Sequence, residues 1–95
     1  MTVKVVYKYA LPLRERVNVT MHDGAKILSV QEQDGDVVVW AEVDPTAARY
    51  DRHFRIVGTG DGFIATGLTY VGTVQVGTFV RHVYEITDLK GVSHD

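Results

Sequence analysis

Apolar and polar residues alternate over most of the chain with the period of two that places successive side chains on opposite faces of a β-strand. From Thr2 to Ala10, Val3, Val5, Tyr7 and Tyr9 fall on one side, and Lys4, Val6 and Lys8 on the other. Leu11-Pro12-Leu13 ends this run, because proline removes a ladder donor and biases its predecessor to extended geometry. Arg16 to Met21 alternates again, with Val17, Val19 and Met21 inward, and Asp23-Gly24 marks a turn. Ala25 to Gln33 and Asp36 to Val43 flank Asp34-Gly35, a two-residue hairpin signal, since both central positions of a type I′ turn need positive φ. That register sets Gln33 opposite Asp36 and puts Leu28, Val30, Val37, Val39 and Ala41 on one face. Ile27, Ser29, Gln31, Val38, Trp40 and Glu42 share the other.

Asp44-Pro45 opens DPTAARYDR, where Asp as N-cap and Pro at the first helical position predict a single helical turn. His53 to Val57 returns to strand with Phe54 and Ile56 inward, and Gly58 to Gly67 is a loop with four glycines. Leu68 to Ile86 reads as two strands joined at Gly77-Thr78, a II′ turn that pairs Val76 with Phe79, Val74 with Arg81, Thr73 with His82 and Val71 with Tyr84. Tyr70, Gly72, Val74, Val76, Phe79 and Val83 then share a mostly apolar face, with Val71, Thr73, Gln75, Val80, His82, Tyr84 and Ile86 opposite. The pattern predicts an all-β fold, a small antiparallel sandwich or barrel of about seven strands with at most one short helical turn. One domain is expected over residues 1–87. The tail over 88–95 loses the period and is expected to fray.

Composition changes this picture little. Ninety-five residues make one domain, and a formal charge of -2 offers none of the basic footprint of a duplex-binding protein. There is no cysteine, hence no disulfide, thiolate zinc site or thiol nucleophile. Lysines inside the first apolar run speak against a signal peptide or membrane span, so a soluble cytoplasmic protein is expected. Sheet edges left open make a homo-oligomer the expected state.

Candidate chemistry is sparse. GTGDG lacks the helix and later acidic residue of a dinucleotide fingerprint and the Lys-Ser/Thr of a P-loop, so it is either a plain turn or a small anion nest of backbone N–H groups. The histidines show no metal spacing, and no metal or cofactor is expected. His82 is a strand histidine with Thr73 as its predicted neighbour, which suits a structural hydrogen bond or a ligand contact. Trp40 falls on the more polar face of its strand, where it either packs under a loop or second layer or meets a ligand or partner. Arg49, Arg52 and Arg55 form either a solvated rim or a clamp for carboxylate or phosphate. No catalytic constellation emerges, and the expectation is a protein that is not an enzyme.

The segments GAKILSVQEQDGDVVVWAEVDP, HFRIVGTG and YVGTVQVGTFVRHVYEI resemble a small domain-of-unknown-function family of phages and bacteria, often found in actinobacterial viruses. The resemblance runs from Tyr7 to Ile86 and is most specific at the Trp40 strand, the Gly58-Thr59-Gly60 turn and the Tyr70 to Glu85 hairpin. It implies a compact accessory protein working in the cytoplasm of a bacterial host. The chain is also similar in class to small β-rich phage proteins that sequester nucleotide immune signals. On that footing the expected function is non-enzymatic binding of a small anionic, nucleotide-like ligand. Trp40, Arg55, Thr59, Tyr70, Gln75, Arg81, His82 and Tyr84 are its expected contacts. The alternative is a protein–protein module that inhibits a host protein or serves in phage assembly.

Overall fold

The computed structural model describes residues 2–88. Seven strands follow one another, β1 (Val5–Leu11), β2 (Arg16–His22), β3 (Lys26–Gln33), β4 (Asp36–Val43), β5 (Arg49–Gly58), β6 (Leu68–Val76) and β7 (Phe79–Ile86). They form two antiparallel sheets, one ordered β1-β4-β3 and the other β2-β5-β7-β6, packed face to face as a small β-sandwich. The expected fold class is therefore observed. The core lies between the sheets, with Leu11, Val37, Val39, Ala41 and Val43 from the first facing Val17, Met21, Phe54, Ile56, Val74 and Val83 from the second. Phe54 is wholly buried at the centre, and truncating such a ring typically costs about 3–5 kcal/mol.

The turns follow their sequence signals. Asp34 and Gly35 both take positive φ (51° and 86°), and Gln33 stands opposite Asp36, as the type I′ reading requires. Gly77 takes φ 60° and Val76 stands opposite Phe79.

Two faces differ from the simple alternation, and for the same reason. The β3–β4 register shifts between Ile27 and Ser29, so Ile27 stands opposite Ala41 and packs on the core while Leu28 bulges out to solvent. The β6–β7 register shifts between Tyr70 and Gly72, so Val71 packs on the core. Tyr70, not Val71, is the partner of Tyr84 and shares its outward face. Each bulge adds one residue to one strand, which reverses the facing of everything beyond it. A bulge also bends its strand and raises the local twist. The two bulged edges meet: a Cβ added at Gly72 would lie 2.4 Å from Val30 Cγ1. Glycine at position 72 thus lets the sheets approach this closely without displacing Val30.

The segment after Asp44 forms a turn rather than the expected helical turn. The Asp44 side chain accepts hydrogen bonds from Thr46 N (2.9 Å) and Thr46 Oγ1 (2.7 Å), and its carbonyl accepts from Ala47 N. A cap of this kind favours only the first turn of a helix, and pairing with β2 draws the chain back to strand at Arg49, earlier than His53. The hydrogen bonds from Thr46 hold the Asp44 carboxyl below its ordinary range. Its stabilising contribution is complete above the unfolded pKa and is lost as pH falls through the lowered folded value.

Arg52 and Glu85 close one end of the sandwich. Both carry the inward facing of Phe54, and Arg52 donates to both carboxylate oxygens of Glu85 and, through Nη1, to the carbonyl of Ala25 (2.8 Å). Hydrogen bonding to Glu85 raises the Arg52 pKa above its ordinary value. Arg52 is therefore a structural strut, neither a solvated rim residue nor a ligand clamp. Most of the expected tail, from residue 89 on, lies outside the described residues.

Two stability measurements follow from this packing. Gly72→Ala drives a methyl group into Val30 and should lower the urea unfolding free energy by about 1–3 kcal/mol, the usual cost of overpacking. Glu85→Gln weakens the strut and should cost on the order of 1.5–3 kcal/mol in the same assay, the range for hydrogen bonds to a charged group.

Candidate functional site

The outward face of the four-stranded sheet is built in rows. Register sets Arg16, Arg55, Tyr84 and Tyr70 side by side across β2, β5, β7 and β6, with Val57, His82 and Thr73 forming the next row. The loop 59–67 lies over this face. Val57 and Ile86 point away from the core by alternation and are nevertheless buried, because the loop covers them. The loop is fastened at several points. The Asp61 carboxylate accepts from Gly58 N at 3.2 Å, Thr87 N donates to the carbonyl of Gly67, and the Phe63 ring lies 5.2 Å from that of Tyr84.

A continuous hydrogen-bond chain crosses the face from the start of the loop to the exposed edge strand β6. Thr59 Oγ1 meets His82 Nε2 at 2.8 Å, His82 Nδ1 meets Thr73 Oγ1 at 3.0 Å, and Thr73 Oγ1 meets the Tyr70 hydroxyl. In neutral His82 one ring nitrogen donates and the other accepts, so the hydroxyls at its two ends take complementary roles. Tyr70 packs edge-on against Tyr84 at 5.5 Å, which continues the aromatic run to Phe63.

Arg55 is the charged centre. Its Nη2 donates to Glu15 Oε1 at 2.8 Å, yet the Arg55 side chain is only 19% exposed whereas that of Glu15 is 73% exposed. The buried Nε finds no acceptor among the described residues. Pockets open on either side of this guanidinium. One of about 580 Å³ runs between loop and sheet, lined by Arg16, Phe63, Ile64, Leu68 and Ile86. The other, about 420 Å³, is lined by Arg14, Glu15, Gly58, Asp61 and Arg81, and Arg55 and Gly62 border both.

Of the residues expected at a site, the fold gathers Arg55, Thr59, Tyr70, His82 and Tyr84. Gln75 shares their face but lies nearer the β6–β7 turn, where its Nε2 donates to the carbonyl of Gly77. Arg81 has the opposite facing, stacks on Phe79 at 5.0 Å and, of the two pockets beside Arg55, lines only the smaller. Trp40 does not join them. It alternates with the buried Val39 and Ala41, so it points away from the core on the other sheet, half-buried, with Nε1 donating to Gln31. Arg49, at the far end of β5 opposite His22, is likewise apart. Sequence reasoning overlooked Arg16, Phe63 and Ile64. The signal was present for two of them, as an adjacent aromatic–aliphatic pair inside an otherwise small and polar glycine loop. Among the described residues, no group of His, Asp and Glu could hold a metal ion, and no helix is long and apolar enough to cross a membrane.

The anchoring of the loop can be measured. His82→Leu removes the hydrogen bond to Thr59 and should speed amide hydrogen exchange over residues 59–62. The amides shared by β5 and β7 should keep their protection.

No curated protein and no solved structure matches the chain. The match that exists is to a family, described as a domain of unknown function (DUF7352), and it covers residues 2–92. With nearly the whole chain inside that match, the protein with this two-sheet sandwich and loop-covered face belongs to the DUF7352 family.

Proposed function

We propose that this protein is a non-enzymatic binder of a small anionic, nucleotide-like ligand, held on the loop-covered face of the four-stranded sheet. One observation carries the reading: Arg55 lines both pockets with its side chain only 19% exposed, and its ion-pair partner among the described residues is Glu15, whose side chain is 73% exposed. An anion in either pocket gives this guanidinium a charge-assisted partner that is less screened by solvent than Glu15. The neighbouring Arg16 makes no ion pair among the described residues, and it lines the larger pocket with Arg55 against a single carboxylate, Asp88. Phe63, Tyr84 and Tyr70 supply the aromatic surface for a ring. His82, the best-placed base on the face, bears on two threonine hydroxyls and on no carboxylate, which supports binding over turnover.

The resemblance to phage-borne domains supplies the setting of this proposal. The protein acts in the cytoplasm of an infected bacterium, as an oligomer, and sequesters a host nucleotide signal. Its contacts are Arg55, Thr59, Tyr70, His82 and Tyr84, with Arg16 and Phe63 added. A second reading rests on the other sheet, whose outer face presents half-buried Trp40 between Lys8 and Ser29, with Val6 and Leu28 exposed on the same sheet. A half-buried aromatic with polar neighbours suits a protein partner.

Native mass spectrometry of the protein recovered from a phage-challenged bacterial host separates the two. Ligand binding predicts a stoichiometric adduct of nucleotide mass that is lost on denaturation and absent from Arg55→Gln. A bare protein in both samples, together with capture of a host protein that Trp40→Ala abolishes and Arg55→Gln leaves intact, would reverse the conclusion.

A further inference from the structure

We infer that the larger pocket takes an aromatic monoanion, whose charged group lies against Arg16 and Arg55 and whose ring lies against the loop. The inference rests on the anion-binding reading above and adds a second cationic contact and the shape of the guest.

The first observation is a like-charge pair. Arg16 stands directly opposite Arg55 in the β2–β5 ladder. Arg16 precedes the buried Val17, and Arg55 lies between the buried Phe54 and Ile56, so both face outward. Residues directly opposite across a ladder hold their Cβ atoms about 4.5–5.5 Å apart, and like charges there are destabilising. The neighbouring rows supply no relief. The next outward pair along the same two strands is Asn18 and His53, which meet at 2.6 Å, and neither is a carboxylate. In the row on the other side stand Val57, His82 and Thr73. Arg55 pairs with the largely solvated Glu15, and Arg16 makes no ion pair among the described residues. Both arginines line the larger pocket, where the single carboxylate is Asp88. A guest anion within reach of both turns their repulsion into two attractions.

The second observation is apolar surface left in water at the same place. Phe63 and Ile64 line this pocket from the loop and are 37% and 80% exposed, although Ile86, on the strand beneath, is buried. The loop around them is small and polar, so it offers them no core of its own.

One kind of guest relieves both features. An inorganic anion would answer the arginines and leave Phe63 and Ile64 wet, and a neutral hydrocarbon would do the reverse. A ring bearing one anionic group answers both. A ring suits the lining better than an alkyl chain does, because the phenyl of Phe63 and the guanidinium groups are flat surfaces on which it can stack. A cavity of about 580 Å³ falls within the range of small-molecule sites.

Fluorescence titration of the full chain reads the two features separately. The probes are anilinonaphthalene sulfonate and phenylnaphthylamine, which has the same aromatic framework without the sulfonate. The sulfonate should bind about tenfold or more tighter than the neutral dye. Arg16→Gln and Arg55→Gln should each bring the sulfonate most of the way to the affinity of the neutral dye, and Ile64→Ser should weaken both dyes. Without any ligand, Arg16→Gln relieves the like-charge pair and should hold or raise the urea unfolding midpoint.

A fall in that midpoint would make Arg16 a prop of the fold and overturn the inference. Loss of the sulfonate preference in Arg55→Gln but not in Arg16→Gln would also overturn it, with anion binding at Arg55 left standing. Equal affinity of the wild-type chain for the two dyes, or binding of neither, would overturn both readings together.

Discussion

The close approach of β3 and β6 is the constraint on which the rest of the structure depends. Two sheets of three and four strands leave four edges, and this sandwich closes one side by bringing a bulged strand from each sheet together. Val30 occupies the space in which any side chain at position 72 would sit. The bulge at Val71 serves closure by bending β6, and it has a second effect. By reversing the facing of the residues before it, it turns Tyr70 out beside Tyr84 and within reach of Thr73. Without the extra residue Tyr70 would point into the core and the chain from Thr59 through His82 would stop at Thr73. Closure and the outward network are thus two results of one inserted residue.

Strand β5 shows how alternation divides like residues between structure and surface. Arg52 and Arg55 are three positions apart and so point to opposite faces. Arg52 faces inward, where desolvation would be costly, and its donors go to a carboxylate and a carbonyl at the end of the sandwich. Arg55 faces outward but is covered by the loop, and it keeps one buried donor without an acceptor. A buried arginine whose donors are met serves the fold, whereas one that lines a pocket with only a solvent-exposed carboxylate as partner leaves charge for a guest. That contrast sets the centre of the proposed site at Arg55. The glycine loop contributes by covering part of the guanidinium and bordering the pockets beside it.

The sequence by itself determined the strands, the two tight turns and most of the core, because those depend on local signals. Period-two alternation, positive φ at Asp34-Gly35 and Gly77, and the block on the ladder at Pro12 are readable without knowing what lies opposite. Composition likewise disclosed the absence of thiol chemistry. The tertiary structure decided where alternation fails, since a bulge is imposed by the strand across the sheet and by the sheet across the core. Leu28, Ile27, Val71 and Tyr70 were misassigned for that reason alone. It also decided that Asp44 starts a turn, because the pairing of β5 with β2 outweighs a cap that favours helix only locally. Tertiary structure decided, finally, which polar residues meet. His82, Thr59, Tyr70, Tyr84 and Arg55 converge through register and loop placement, while Trp40, equally prominent in the sequence, lies beyond the core on the other sheet. Facing along a strand is local and can be read from a pattern, but convergence between strands depends on distances that no single stretch of sequence contains.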